Sequence, residues 1–148
     1  MKKILNDLLS YKSCNDILPP INENEIYEFE KDNKISLPVP LLELLKKFDG
    51  GEILIPGPTI YGIKRSSSRK TIREINSKES RSLFNIPNNY LIISKLNYGD
   101  FICINLNHPY DIIQWEHETD SIFCSWNSLE EWLADNLSSF EKYKEENE

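Results

Sequence analysis

Two apolar runs, Leu91 to Leu96 and Phe101 to Leu106, are separated only by Asn97-Tyr98-Gly99-Asp100, and that spacing constrains the fold more than any other feature. A short turn-rich link between strand-like runs predicts an antiparallel hairpin. A third strand is expected over residues 111 to 118, with Ile113, Trp115 and His117 on one face and Ile112, Gln114, Glu116 and Glu118 on the other, because side chains alternate along a strand. Ile122 to Trp126 predicts a fourth.

Helical spacing dominates elsewhere. Ile4, Leu5, Leu8 and Leu9 predict a short first helix, followed by a loop through Pro19 and Pro20. Asn22 with Glu25 three residues on forms a capping-box pattern, and Ile26 and Phe29 then mark an inward stripe to about Asn33. Leu37-Pro38 opens a helix whose apolar face is Leu41, Leu44, Leu45 and Phe48, with Gly50-Gly51 as its stop. Residues 52 to 55 and 60 to 63 read as short strands around Pro56-Gly57-Pro58. Ser66, Ser67 and Ser68 predict a loop, and a helix is expected from about Thr71 to Phe84. Ser128 and Glu131 form a second capping-box pattern before a helix with the stripe Leu129, Trp132, Leu133, Leu137 and Phe140, fraying from Glu145.

The length of 148 residues fits a single domain, 1–148, with one core at about 22–137. No stretch approaches the ~18 to 20 apolar residues of a membrane span, so no membrane partner is expected. The N-terminus begins with two lysines like a signal peptide, but Asn6 and Asp7 interrupt it, which predicts a cytoplasmic protein. Cys14, Cys103 and Cys124 are an odd number at wide spacing and predict reduced, buried thiols.

Charge is unevenly distributed. Residues 64 to 81 hold seven basic and two acidic side chains, whereas Lys95 and Lys142 enclose nine acids and no base. An acidic block of this kind repels nucleic-acid phosphates and speeds encounter with basic proteins. Its alternative is a solvated face that only aids solubility. The basic stretch contains no aromatics, which favours a solvated loop over a nucleic-acid contact, and no direct nucleic-acid partner is expected.

Catalytic and cofactor devices are missing from the pattern. Cys103 and Cys124 fall in apolar runs where a buried thiol is the ordinary reading. Cys14, Cys103, His108, His117 and Cys124 lack metal-ligand spacing. Glu116-His117-Glu118 places the imidazole opposite both carboxylates on a strand, and the five glycines form no phosphate loop. No enzyme activity, metal or cofactor is expected. Trp115 and Trp132 read as core side chains or as interface anchors.

The order Leu37-Pro38, Gly50-Gly51, Tyr61-Gly62-Ile63, the Gly99-Asp100 strand, the Trp115-Glu116-His117 strand and the Ser128 to Leu133 helix resembles the SUKH superfamily, which includes the Smi/Knr fungal regulators and many bacterial immunity proteins. Asp49 stands where many members show Asn, and Leu129 and Trp132 stand where Phe is usual. The resemblance implies a non-catalytic α+β domain: a central, largely antiparallel sheet with helices packed on it. It also implies an antidote, monomeric when free, that binds and neutralises a polymorphic toxin, often a nuclease. A regulatory or scaffolding module that binds a signalling or cell-wall factor is the second expectation. An acidic surface suits a basic nuclease, and Glu52, Asp100, Asp111, Glu116, Glu118 and Asp120 are the candidate partner-binding carboxylates.

Overall fold

The link at residues 97 to 100 does form a hairpin. In the computed structural model, which describes residues 1–66 and 69–147, β4 (Tyr90–Lys95) pairs antiparallel with β5 (Phe101–Asn105), matching Lys95 to Phe101 and Tyr90 to Asn105. Gly99 has a φ of 106°, and a β-carbon there would lie 3.0 Å from the His117 ring, so the turn needs glycine for both backbone and space. β6 (Ile112–Glu116) and β7 (Ser121–Trp126) continue the meander, each antiparallel to its predecessor.

Three shorter strands extend the sheet on its other side: β1 (Asp16–Ile17), β2 (Gly51–Glu52) and β3 (Thr59–Ile60). The spatial order is β1 to β7 in chain order, and every pairing is antiparallel. Of the strands expected at residues 52 to 55 and 60 to 63, only Glu52 and Ile60 fall in the ladder, each as one of the two residues of its strand. β1 carries no periodicity in the sequence and enters as the edge partner of β2.

Among the described residues six α-helices accompany the sheet. Asn22 caps α2 (Glu23–Asn33) with the full reciprocal box, its side chain accepting from Glu25 N while the Glu25 carboxylate accepts from Asn22 N. α3 (Val39–Leu45) has Pro38 as N-cap and Pro40 in its first turn, where the missing N–H costs nothing. This helix closes at Leu45 and not at Gly50-Gly51. Those glycines, at φ 78° and 122°, instead turn the chain into β2, where a β-carbon on Gly51 would lie 2.3 Å from Asp16 O.

The helix expected from Thr71 to Phe84 is two single turns, α4 (Ile72–Ile75) and α5 (Lys78–Arg81). Asn76 breaks it. Its Oδ1 accepts Ile92 N and its Nδ2 donates to Ile92 O, tying the break to β4 where a bulge at Ile93 frees that pair. Thr71 and Ser77 then cap the two turns. Ser67 and Ser68, placed in a loop by the sequence, lie outside the described residues.

α6 (Leu129–Glu146) follows β7 and runs through residue 145, where fraying was expected. Ser128 Oγ accepts from Glu131 N, but the Glu131 carboxylate reaches back to Asn127 N, so the second capping box is shifted by one residue. The expected stripe of Leu129, Trp132, Leu133, Leu137 and Phe140 is buried throughout. It packs with α1 (Lys2–Leu9) and α3 over Ile102, Ile104 and Ile112. Each of these large side chains contributes about 1.5 to 3 kcal/mol by burial. The opposite sheet face is closed by α4, α5 and the segment after them, where Phe84 stacks edge-on against Phe101 at 4.7 Å. Among the described residues no helix is long and apolar enough to cross a membrane.

Candidate interaction edge

The β6–β7 end of the sheet is built around Asp100. This carboxylate is 3% exposed, and its Oδ2 accepts from Gln114 Nε2 at 2.9 Å. Its Oδ1 accepts from the His117 backbone N–H at 3.1 Å and from His117 Nδ1 at 2.5 Å, which puts the imidazole proton on Nδ1. Burial pushes the Asp100 carboxyl up, but the bonds from Gln114 and His117 outweigh that and hold it below its ordinary value of 3.8. Asp100 is therefore an internal clamp that fixes where β6 ends and the next turn begins.

That turn presents Glu116, Glu118 and Asp120. Glu116 is half-buried and the other two are exposed. Asp120 adopts a left-handed φ of 51° and accepts from Asn85 Nδ2 at 3.2 Å, which ties the turn to the segment after α5. The other two candidate carboxylates lie elsewhere. Asp111 sits at the opposite end of β6, half-buried, accepting from Tyr90 OH and Asn105 Nδ2. Glu52 lies on β2, four strands from β6 or about 19 Å at the usual strand spacing. The nine acids between Lys95 and Lys142 do not gather in one patch, since Glu130 pairs with the Met1 amino group and Glu141 accepts from Tyr11 OH along α6.

What the sequence reading missed is beside the acidic turn. β7 is the last strand of the sheet, and among the described residues nothing pairs with its outer edge. Its pairing with β6 shifts register between Gln114 and Trp115, leaving Phe123 as the extra, bulged residue. Ile122 and Phe123 are 51% and 60% exposed. Leu83, 71% exposed, begins the segment that is bonded to this edge, where Phe84 O accepts from Trp115 Nε1 and Asn85 Nδ2 donates to Asp120. The sequence places Ile122 and Phe123 on a strand; the signal of exposure in it is the consecutive run Ile122-Phe123-Cys124 between Ser121 and Ser125, whose side chains cannot all face the core.

The basic segment has internal partners. Lys64 pairs with Glu25, Arg69 Nη2 with Asp16 Oδ2 at 2.7 Å, and the half-buried Arg81 donates to Asn76, Tyr90, Ile86 and Pro87 oxygens. The Cys103 thiol is pushed up to about 12 by burial, far from a reactive thiolate, while Cys14 and Cys124 are only half-buried.

A sequence model of the SMI1 / KNR4 family (SUKH-1) matches residues 20–135, most of the chain. The chain belongs to the SMI1/KNR4 (SUKH-1) family. None of the curated proteins matches it. Among solved structures, a protein from Pseudomonas syringae pv. tomato superposes with a TM-score of 0.70 at 16% identity, over 93% of this chain and 99% of that one. At that identity the likeness concerns the fold. The SUKH-1 match begins after β1, so α1 and β1 lie outside it, while β4 to β7 and the acidic turn lie within it.

Proposed function

We propose that this protein is a cytoplasmic immunity protein that binds and neutralises a basic polymorphic toxin, a nuclease in the simplest case, and has no chemistry of its own. The observation that carries this reading is the open edge of β7, where exposed Ile122 and Phe123 lie beside Glu116, Glu118 and Asp120. An apolar centre with a charged rim is the anatomy of a protein interface. Unpaired backbone groups along β7 offer a partner strand a ladder, and the rim selects a basic one. A nuclease must hold phosphates with Lys and Arg, and a protein that covers that site with carboxylates blocks it. Asp100 supports the interface by positioning the turn; Glu52 and Asp111 stand apart from it.

Co-expression with the product of the adjacent reading frame tests this, followed by co-purification and a growth-rescue assay. A complex whose association slows steeply with salt supports the antidote. Weak, salt-insensitive binding to partners encoded elsewhere would favour a regulatory module instead.

A further inference from the structure

A cleft of about 290 Å³ opens between α6, the loop at residues 56 to 58, the β4–β5 turn and Trp126 at the end of β7. Tyr98 and the half-buried Trp126 line it with Pro56, Pro58 and an edge of the otherwise buried Trp132. The volume sits at the low end for small-molecule sites, enough for one long side chain. Neither Lys nor Arg is among the lining residues.

Asp135 and Asn136 each bring an acceptor to the cleft, beside the amide of Asn97 and the hydroxyls of Tyr98 and Ser139. Trp126 Nε1 donates to Asp135 Oδ2 at 2.8 Å, which orients the indole, holds the carboxylate at the cleft and leaves its other oxygen able to accept. Asn136 Nδ2 donates to Trp132 O, so its Oδ1 remains an acceptor. The Gln114 amide is used internally: Nε2 donates to Tyr98 OH and Asp100, and Oε1 accepts from Cys124 Sγ. Tyr98 is thereby held beside the indoles.

Aromatic faces with a carboxylate and carbonyl acceptors make a site for a cation, whose charge is attracted to the ring faces and whose N–H groups need acceptors. We propose that this cleft receives one Arg or Lys side chain from an extended segment of the protein partner. The proposal rests on the reading of a basic partner given above, and adds a second contact to that of the β7 edge. A small quaternary-ammonium compound shares the chemistry, and the test separates the two.

The test titrates the full chain with N-acetyl-arginine amide, N-acetyl-lysine amide, the neutral N-acetyl-citrulline amide and tetramethylammonium. The readouts are tryptophan fluorescence and the indole N–H resonances, with Trp126 assigned from its loss in Trp126→Phe. The expected result is a saturable shift of the Trp126 resonance with the arginine or lysine amide and none with citrulline. Asp135→Asn should weaken binding about fivefold at an unchanged urea midpoint, a factor equivalent to about 1 kcal/mol. Equal binding of citrulline, no shift with either basic amide, or binding of tetramethylammonium alone would overturn the proposal. A toxin complex of unchanged affinity in Trp126→Leu and Asp135→Asn would also overturn it, leaving the antidote reading intact. A basic amide that titrates Trp126 in a protein that no adjacent gene product binds would support the cleft while removing the antidote.

Discussion

Asp100 and His117 are joined twice, through the imidazole Nδ1 and through the backbone N–H, so a buried acid on the β4–β5 hairpin sets the start of the acidic β6–β7 turn. Asp100 turns inward, whereas Glu118 and Asp120 on that turn are exposed.

Removing the clamp should be costly. Asp100→Ala leaves the Gln114 amide and the His117 N–H without their acceptor, at a cost of about 2 to 4 kcal/mol by urea denaturation. Asp100→Asn, which keeps one acceptor oxygen, should cost less. A result within about 0.5 kcal/mol of wild type for the alanine variant would contradict the clamp.

Stability should depend on pH with two opposed contributions. Asp100 titrates below 3.8 in the fold, so its contribution is present above the unfolded-state value and is lost as pH falls through the folded one. The 1%-exposed Asp49, whose oxygens accept Ile63 N and Lys64 N, is raised by burial, so its contribution is present below 3.8 and is lost as pH rises through its folded value. Unfolding curves from pH 2.5 upward should therefore lose acid sensitivity in Asp100→Asn and lose the decline just above pH 3.8 in Asp49→Asn.

Arg81 should be structural despite its place in the basic segment. Four oxygens accept from its guanidinium without a carboxylate among them, and burial lowers its pKa from the usual arginine value. Arg81→Met should cost about 2 to 3 kcal/mol. Arg65→Met, on the same segment, should change the urea midpoint little.

The exposed edge should be neutral for folding and decisive for binding. Phe123→Ser and Ile122→Ser should leave stability within about 0.5 kcal/mol of wild type while weakening the recovered complex about tenfold or more. The triple variant Glu116→Gln, Glu118→Gln, Asp120→Asn should fold normally and associate more slowly, with a shallower salt dependence. A rate unchanged at low salt would show that the rim does not steer the partner.

The parts legible in sequence were those with a local cause. The α6 stripe, the Asn22 box and the hairpin at residues 97 to 100 depend on neighbours within one turn or one link. The break at Asn76 depends on Ile92, sixteen residues away, and cannot be read from helical spacing. Asp100 looked like a turn acid because its partners, Gln114 and His117, are supplied by the next strand. Ile122 and Phe123 were legible as strand but not as exposed, because a strand's edge position is a property of the whole sheet, and the shift that leaves Phe123 outside the ladder arises only where β7 meets β6.

Hydrogen–deuterium exchange of the chain, alone and in complex with the adjacent gene product, tests the central claim most directly. The account predicts new protection concentrated in residues 116 to 126, with little change in 64 to 81. Protection confined to the basic segment, with β7 exchanging as in the free protein, would contradict it.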